Sequence, residues 1–187
     1  MLGIGCLLFM NDQEKKRICD LIGQIVDTFV EEWAKTPLHW LQEIDVQCDL
    51  FSRLHKFLKD RNICHLKARH SRYTNQHEFS RITCEPYVSL GGTCYAHPDI
   101  VIWDDANNDS DTLNSGRWPI IWACEIKYTT GEPEATDLKR LRQILEDNTA
   151  LSACWIKLVL GQQTSILDQD ISSDPRLRIV AKYARLE

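Results

Sequence analysis

The stretch that decides the fold is PIIWACEIK, residues 119–127. It is apolar as far as Cys124 and then places Glu125 and Lys127 at its end. A short run rich in Ile and Trp predicts a buried strand. Alternate residues of a strand share a face, so the two charged side chains should point to one side, about 6–7 Å apart, with Ile126 in the opposite layer. Because buried charges must be paired or bound to an ion, chemistry is expected at this strand end.

A second apolar strand supplies the partner of this charged pair. Residues 99–103 begin with Asp99, directly after Pro98. If the two strands pair, the Asp99 carboxylate lies beside Glu125, and Lys127 alone cannot neutralise both acids. Two such carboxylates suit a hard divalent cation such as Mg²⁺. The cation can polarise a phosphoryl oxygen and activate water while a lysine orients that water, which is the equipment of phosphodiester hydrolysis.

Pro98-Asp99 followed by Glu125-Ile126-Lys127 resembles the motif of the PD-(D/E)XK nuclease superfamily, the fold of many restriction and repair endonucleases. The resemblance covers residues 40–160 and implies a restriction-endonuclease-like fold. It implies that Asp99, Glu125 and the Ile126 carbonyl hold Mg²⁺ or Mn²⁺, and that Lys127 positions the attacking water. The implied activity is metal-dependent endonuclease cleavage of DNA.

The resemblance also points to acids outside the motif. Glu43, in the predicted second helix, takes the position where members often place a second metal ligand, and it is a candidate catalytic residue. Asp45 and Asp49 compete with it for this role, since an acid on a helix is usually a solvated side chain. Glu85 lies on the strand before Pro98-Asp99, where some members place a further metal-binding acid.

The periodicity of the chain predicts a single α/β domain with a central mixed sheet of about four to six strands flanked by helices. We divide it into an N-terminal amphipathic helix (1–35), the nuclease core (36–160) and a C-terminal extension (161–187). In the core, one apolar stripe of the second helix begins with Ile44, Cys48 and Phe51. The neighbouring Val46 and Leu50 broaden this stripe. The expected elements are helices at 38–59 and 135–145 and strands at 63–69, 81–90, 99–103, 119–128, 153–160 and 177–183.

Basic residues are concentrated in two places. Lys and Arg outnumber acids between residues 53 and 81, although the net charge of the whole chain is −5. A second group lies on the helix after the Glu-x-Lys strand. Charge runs often form only a solvated face, but beside a carboxylate site they would bind a phosphate backbone. The candidate nucleic-acid-binding residues are Lys67, Arg69, Arg72, Lys139 and Arg140.

The length and composition of the chain indicate its domain number, its solubility and the state of its cysteines. The chain has 187 residues, enough for one domain, and no apolar run of the ~18 residues that a membrane span needs. Its eight cysteines include no C-x-x-C pair, so we expect reduced thiols and a soluble, cytoplasmic protein without a membrane partner.

Other interpretations stay open. The chain could be a catalytically silent nuclease-like module that binds nucleic acid or protein, or an unrelated α/β scaffold with an accidental motif. The sequence does not distinguish DNA from RNA. Cutting both strands with one site per chain would favour a homodimer, for which the first amphipathic helix is a candidate interface. His97 and Cys94 could also contact substrate, although such loop residues are more often only packed or solvated.

Overall fold

The structure is a computed structural model that describes residues 10–69, 76–90, 95–105, 118–129, 135–147, 150–161 and 174–184. Within these ranges it has three α-helices and nine strands. The helices are α1 Asp12–Lys35, α2 Glu43–Asp60 and α3 Ala135–Glu146. The strands are β1 His65–Arg69, β2 Gln76–Ser80, β3 Ile82–Cys84, β4 Val88–Ser89, β5 Tyr95–Ala96, β6 Ile100–Trp103, β7 Ile120–Thr129, β8 Ala150–Leu160 and β9 Leu177–Ala184.

The central sheet is mixed and has the strand order β3-β6-β7-β8-β9. The pairs β3–β6 and β6–β7 are antiparallel, whereas β7–β8 and β8–β9 are parallel, with α3 between β7 and β8 along the chain. Helices flank the sheet, which confirms the predicted α/β class. The C-terminal segment contributes β9 as an edge strand of this same sheet.

Two apolar layers cover the faces of the sheet. The side chains of α1 and α2 pack with Ile126 and alternate residues of β6, β7 and β8. Those of α3 pack on the other face with Trp155, together with apolar residues of the β1–β2 hairpin and the β4–β5 ladder. Ile126 therefore points into the α1–α2 layer, as alternation predicts.

Helix α1 buries its apolar stripe inside the chain. Asn11 and Glu14 form a capping box at its start, and the buried Lys15 ammonium lies 2.7 Å from Asp104, at the end of β6. This packing removes the sequence argument for a dimer interface on that stripe. None of the helices in the described ranges is long and apolar enough to cross a membrane. The stripe consists of Ile18, Ile22, Val26, Phe29, Val30 and Trp33.

Local chemistry moves two of the predicted boundaries. Helix α2 begins at Glu43 and not near residue 38, because Pro37–His39 form a 3-10 turn and the Asp45 carboxylate accepts the N–H groups of Leu41 and Gln42. The strand predicted at 81–90 divides into β3 and β4. Glu85, between them, has φ of 46°, a left-handed conformation that ends β3, and Pro86 follows it.

Candidate metal and active site

The site is built where β6 and β7 diverge. These strands pair with Ile100 opposite Cys124, so Asp99 and Glu125 are the next residues beyond the ladder. Each of the two carboxyl groups shifts the pKa of the other, and the Ile126 N–H donates to Asp99 Oδ2 at 2.5 Å. The strand pairing expected from the sequence is present and brings the two acids together.

Burial makes it unfavourable for both carboxyl groups to be ionised at the same time. Burial raises the pKa of Asp99 to about 6, against the opposing effect of the Ile126 N–H. Burial, then the charge of Asp99, then that of Asp137, raise the pKa of Glu125 to about 9. Near neutral pH the pair therefore holds one proton, mainly on Glu125.

Lys127 lies on the same face of β7 as Glu125, as predicted, but its nearest described acids belong to two helices. Its Nζ is 3.1 Å from Asp137 Oδ2 on α3 and 3.6 Å from Glu43 Oε1 on α2. Burial alone would lower the pKa of the Lys127 ammonium, but the contacts with Asp137 and Glu43 outweigh it and raise that pKa. Lys127 is therefore an ammonium ion held in position by two carboxylates.

Glu43 reaches the site from the first residue of α2. Besides the contact with Lys127, its Oε2 accepts the Tyr128 N–H at 3.0 Å. Its two rivals on α2 lie elsewhere: Asp45 caps the helix, and Asp49 accepts from Trp40 Nε1 and Arg53. Of the three acids weighed on this helix, Glu43 is the one that the structure brings to Lys127.

The backbone of β7 explains why acids gather here. Strand β7 continues beyond the end of β6, so the N–H groups of Ile126 and Tyr128 have no strand partner on that side and donate to the side chains of Asp99 and Glu43. The N–H and C=O of one strand residue point to the same neighbour. The Ile126 carbonyl therefore faces the edge that carries the Asp99 carboxylate.

Two residues of this site were not predicted from the sequence. Asp137, in the first turn of α3, is only 4% exposed, and an acid there is usual in any helix because it favours the helix dipole. Gln47, on α2, is also 4% exposed, and its Nε2 donates to the Asp99 carbonyl at 2.8 Å. The signal available for Gln47 was its place in the sequence, because it is a polar residue between Val46 and Leu50, which are buried.

Glu85 contributes through its backbone. Its N–H donates to the Asp99 carbonyl at 3.0 Å, while its side chain is exposed. Together with Gln47, this bond fixes the chain where Asp99 enters β6.

The candidate nucleic-acid-binding residues have different positions. Lys139 and Arg140 are exposed on α3, and Arg140 lies 3.3 Å from Asp137, so this group adjoins the site. Lys67 and Arg69 are in β1 of the hairpin on the α3 face of the sheet, but their side chains lie outside the description. Arg72 lies outside the described residues, as does Cys94.

The donor set suits a small hard cation. In the described ranges no group of three or more His, Cys, Asp or Glu side chains is arranged to hold a metal. Two carboxylates, one main-chain carbonyl and waters form a smaller set, which Mg²⁺ accepts. Burial raises the pKa of both carboxyl groups, so their ionised forms are unfavourable here unless a positive charge such as a divalent ion compensates them.

Comparison of the chain with protein-family models, with curated proteins and with solved structures finds no significant match.

Proposed function

We propose that this protein is a Mg²⁺- or Mn²⁺-dependent endonuclease of the PD-(D/E)XK type that hydrolyses phosphodiester bonds in DNA. The observation that carries the proposal is the pairing of β6 with β7, which sets Asp99 and Glu125 opposite each other at adjoining strand ends, with the Lys127 ammonium on the same face of β7 as Glu125. Phosphodiester hydrolysis uses these three groups together.

In this proposal Asp99, Glu125 and the Ile126 carbonyl hold the ion. When bound, the ion polarises a phosphoryl oxygen and lowers the pKa of a water molecule. Glu125 must lose its proton first, so binding of the ion should release a proton near neutral pH. Glu43 stands at the Lys127 side of the site, where it could assist a second ion.

Lys127 supplies a fixed positive charge. Since its contacts raise its pKa, it stays an ammonium and cannot act as a general base. Its role is to orient the attacking water and to stabilise the negative charge that develops on the phosphoryl oxygens. The water oxygen bonds to phosphorus as one P–O ester bond breaks. One proton of the water passes to the leaving oxygen and the other stays on the new phosphate or passes to solvent, so the products are a phosphate monoester and a hydroxyl.

DNA is the proposed partner because exposed cations adjoin the carboxylates. Lys139 and Arg140 stand on the helix that also carries Asp137, and such side chains attract the phosphate backbone. A cytoplasmic location is part of the proposal, supported by the free thiols of the described cysteines.

Plasmid nicking by the purified protein tests the proposal. Mg²⁺ or Mn²⁺ should support conversion of supercoiled to nicked DNA, and EDTA should abolish it. Asp99→Asn and Lys127→Ala should each lower the rate at least about 100-fold, within the range that one electrostatic catalytic group contributes. Lys16→Ala is the control, because Lys16 is exposed on α1 and lies outside both basic groups. Activity that survives Asp99→Asn or ignores EDTA would contradict the proposal.

One observation favours the second candidate, a nuclease-like module without turnover. Lys127 is engaged by Asp137 and Glu43, so two carboxylates already balance its positive charge before any substrate arrives. Calorimetric titration with Mn²⁺ separates the candidates. A silent module should give no metal-binding heat that depends on Asp99 and Glu125, whereas the endonuclease should give heat that Asp99→Asn abolishes.

A further inference from the structure

Three exposed rings form a cluster outside the carboxylate site. The rings of Tyr87 and Tyr95 stack with centroids 4.1 Å apart and an interplanar angle of 27°. The His97 ring meets Tyr87 edge-on at 5.2 Å and 65°. Tyr87 is 45% exposed and Tyr95 is 43% exposed, so this aromatic surface faces solvent and is not part of either apolar layer.

The β4–β5 ladder holds the rings on one face. Val88 pairs with Ala96, and this antiparallel register places Tyr87 opposite His97. Directly opposite residues of an antiparallel pair share a face. Ala96 meanwhile packs into the α3 layer, which anchors the ladder to the sheet.

The same chain segment connects the rings to the candidate metal ligand. Between residues 95 and 100 exposure alternates strictly, with positions 96, 98 and 100 buried and positions 95 and 97 exposed. The buried side changes along this segment, because Ala96 packs into the α3 layer and Ile100 into the α1–α2 layer, with a bend at Asp99 between them. What ties the rings to Asp99 is therefore the short chain separation. At no more than about 3.3 Å per residue, His97 lies within about 7 Å and Tyr95 within about 13 Å of Asp99 along the backbone.

We infer that the surface formed by Tyr87, Tyr95 and His97 binds the bases of single-stranded DNA next to the Asp99 carboxylate. This rests on the proposed function and narrows its substrate class. Exposed aromatic faces bind bases by stacking, which requires no particular base. A base inside a duplex is covered on both sides by its neighbours, so an unpaired strand is what can offer a free face.

The phosphates and the bases of such a strand would contact different parts of the protein. The cations of the site, Lys127 and the exposed Arg140, attract the backbone, whereas the tyrosine rings carry no charge and bind only the bases. Removing the bases from a strand while keeping its phosphates therefore isolates the contribution of the rings.

The experiment measures binding of a fluorescent oligothymidylate, by anisotropy in EDTA so that no cleavage occurs. An abasic strand of the same length is the comparison. Wild-type protein should bind oligothymidylate about tenfold more tightly than the abasic strand. Tyr87→Ala or Tyr95→Ala should reduce this ratio to near one, and Tyr87→Phe should preserve it. Leu151→Ala is the control, because Leu151 is an equally exposed apolar residue on β8.

Several outcomes would overturn the inference. Equal affinity for the two strands would show that only phosphates are bound. An unchanged ratio in both alanine variants would place the bases elsewhere. If Tyr87→Ala left strand binding intact and changed the molar mass in light scattering, the surface would be an interface between copies of the chain. Because binding is measured without metal, failure of nicking and failure of base stacking are separate results.

Discussion

Asp137 Oδ2, on α3, lies 3.1 Å from Nζ of Lys127, on β7. This ion pair links the helix that follows the Glu-x-Lys strand to the lysine of that motif. Asp137 is only 4% exposed, and its charge also raises the pKa of Glu125. Asp137 therefore acts on the carboxylate pair and on the amine without belonging to the motif.

Replacing Asp137 by Asn should lower the nicking rate at least about tenfold, because the Lys127 amine loses its nearest described partner and its fixed position. Manganese affinity should change little, since an easier deprotonation of Glu125 offsets the lost negative charge. Nicking assays and calorimetry measure the two effects. Asp60→Asn is the control, as Asp60 is an exposed acid on α2. An unchanged rate would show that Asp137 does not position Lys127.

The Glu125 pKa predicts how the stability of the metal-free protein depends on pH. Its pKa rises from 4.5 to about 9 on folding, so the folded state binds the extra proton between these values. Stability must then fall as pH rises through this window, by at most about 1.4 kcal/mol per pH unit. Glu125→Gln removes this titration, so its free energy of unfolding should exceed that of wild type at pH 8.

Urea unfolding in EDTA at pH 6 and pH 8 measures this difference. Glu85→Gln provides the control, because that side chain is exposed and its variant should keep the wild-type slope. Identical pH slopes for wild type and Glu125→Gln would contradict the electrostatic description of the site.

The Lys15–Asp104 pair should contribute to stability far more than a surface ion pair. Its 2.7 Å contact is buried, with side chains only 11% and 8% exposed. Lys15→Ala leaves the Asp104 carboxylate buried without this partner, which should cost about 3–5 kcal/mol. Lys56→Ala breaks an exposed pair and should cost less than about 1 kcal/mol. Equal losses of unfolding free energy in chemical denaturation would show that the buried pair stabilises the fold no more than the exposed pair.

Gln47 should matter more for the geometry of the site than for the stability of the fold. Gln47→Met keeps the length of the side chain but removes the donor to the Asp99 carbonyl. That carbonyl still accepts the Glu85 N–H, so the cost should be near 1 kcal/mol. Manganese affinity should fall several-fold as the start of β6 loosens. Gln24→Met, at an exposed position on α1, should leave metal affinity unchanged.

Local patterns were enough to predict the sheet and the carboxylate pair. The apolar runs that end at Glu125 and begin after Asp99 define β7 and β6, and alternation assigns Ile126 to the opposite layer. These features depend on neighbouring residues of one strand, so a single sequence contains them. The α/β class follows from the order of the elements.

The buried face of α2 was less predictable, because two apolar stripes compete along the helix. Ile44 begins one predicted stripe, but it is 49% exposed, and Cys48 is exposed as well. In its first half the helix instead buries Val46, Gln47 and Leu50, whereas Leu54 and Leu58, which continue the predicted stripe, are buried as expected. Which stripe faces inward depends on how α2 packs on the sheet, and this is a tertiary choice.

The proximity of Asp137 and Glu43 to Lys127 could not be predicted from local sequence either. Each stands near the start of a helix, where an acid is common without any function. Their proximity to Lys127 depends on contacts between elements far apart in the chain. The sequence could suggest Glu43 only through its resemblance to a family, and it contained no comparable signal for Asp137.

Diffraction from a crystal soaked in Mn²⁺, recorded at the manganese absorption edge, tests the central claim most directly. We predict one anomalous peak about 2 Å from carboxylate oxygens of Asp99 and Glu125 and from the Ile126 carbonyl oxygen. The peak should vanish in Asp99→Asn crystals. Absence of the peak from wild-type crystals at saturating Mn²⁺, or a peak bound away from these three groups, would contradict the account.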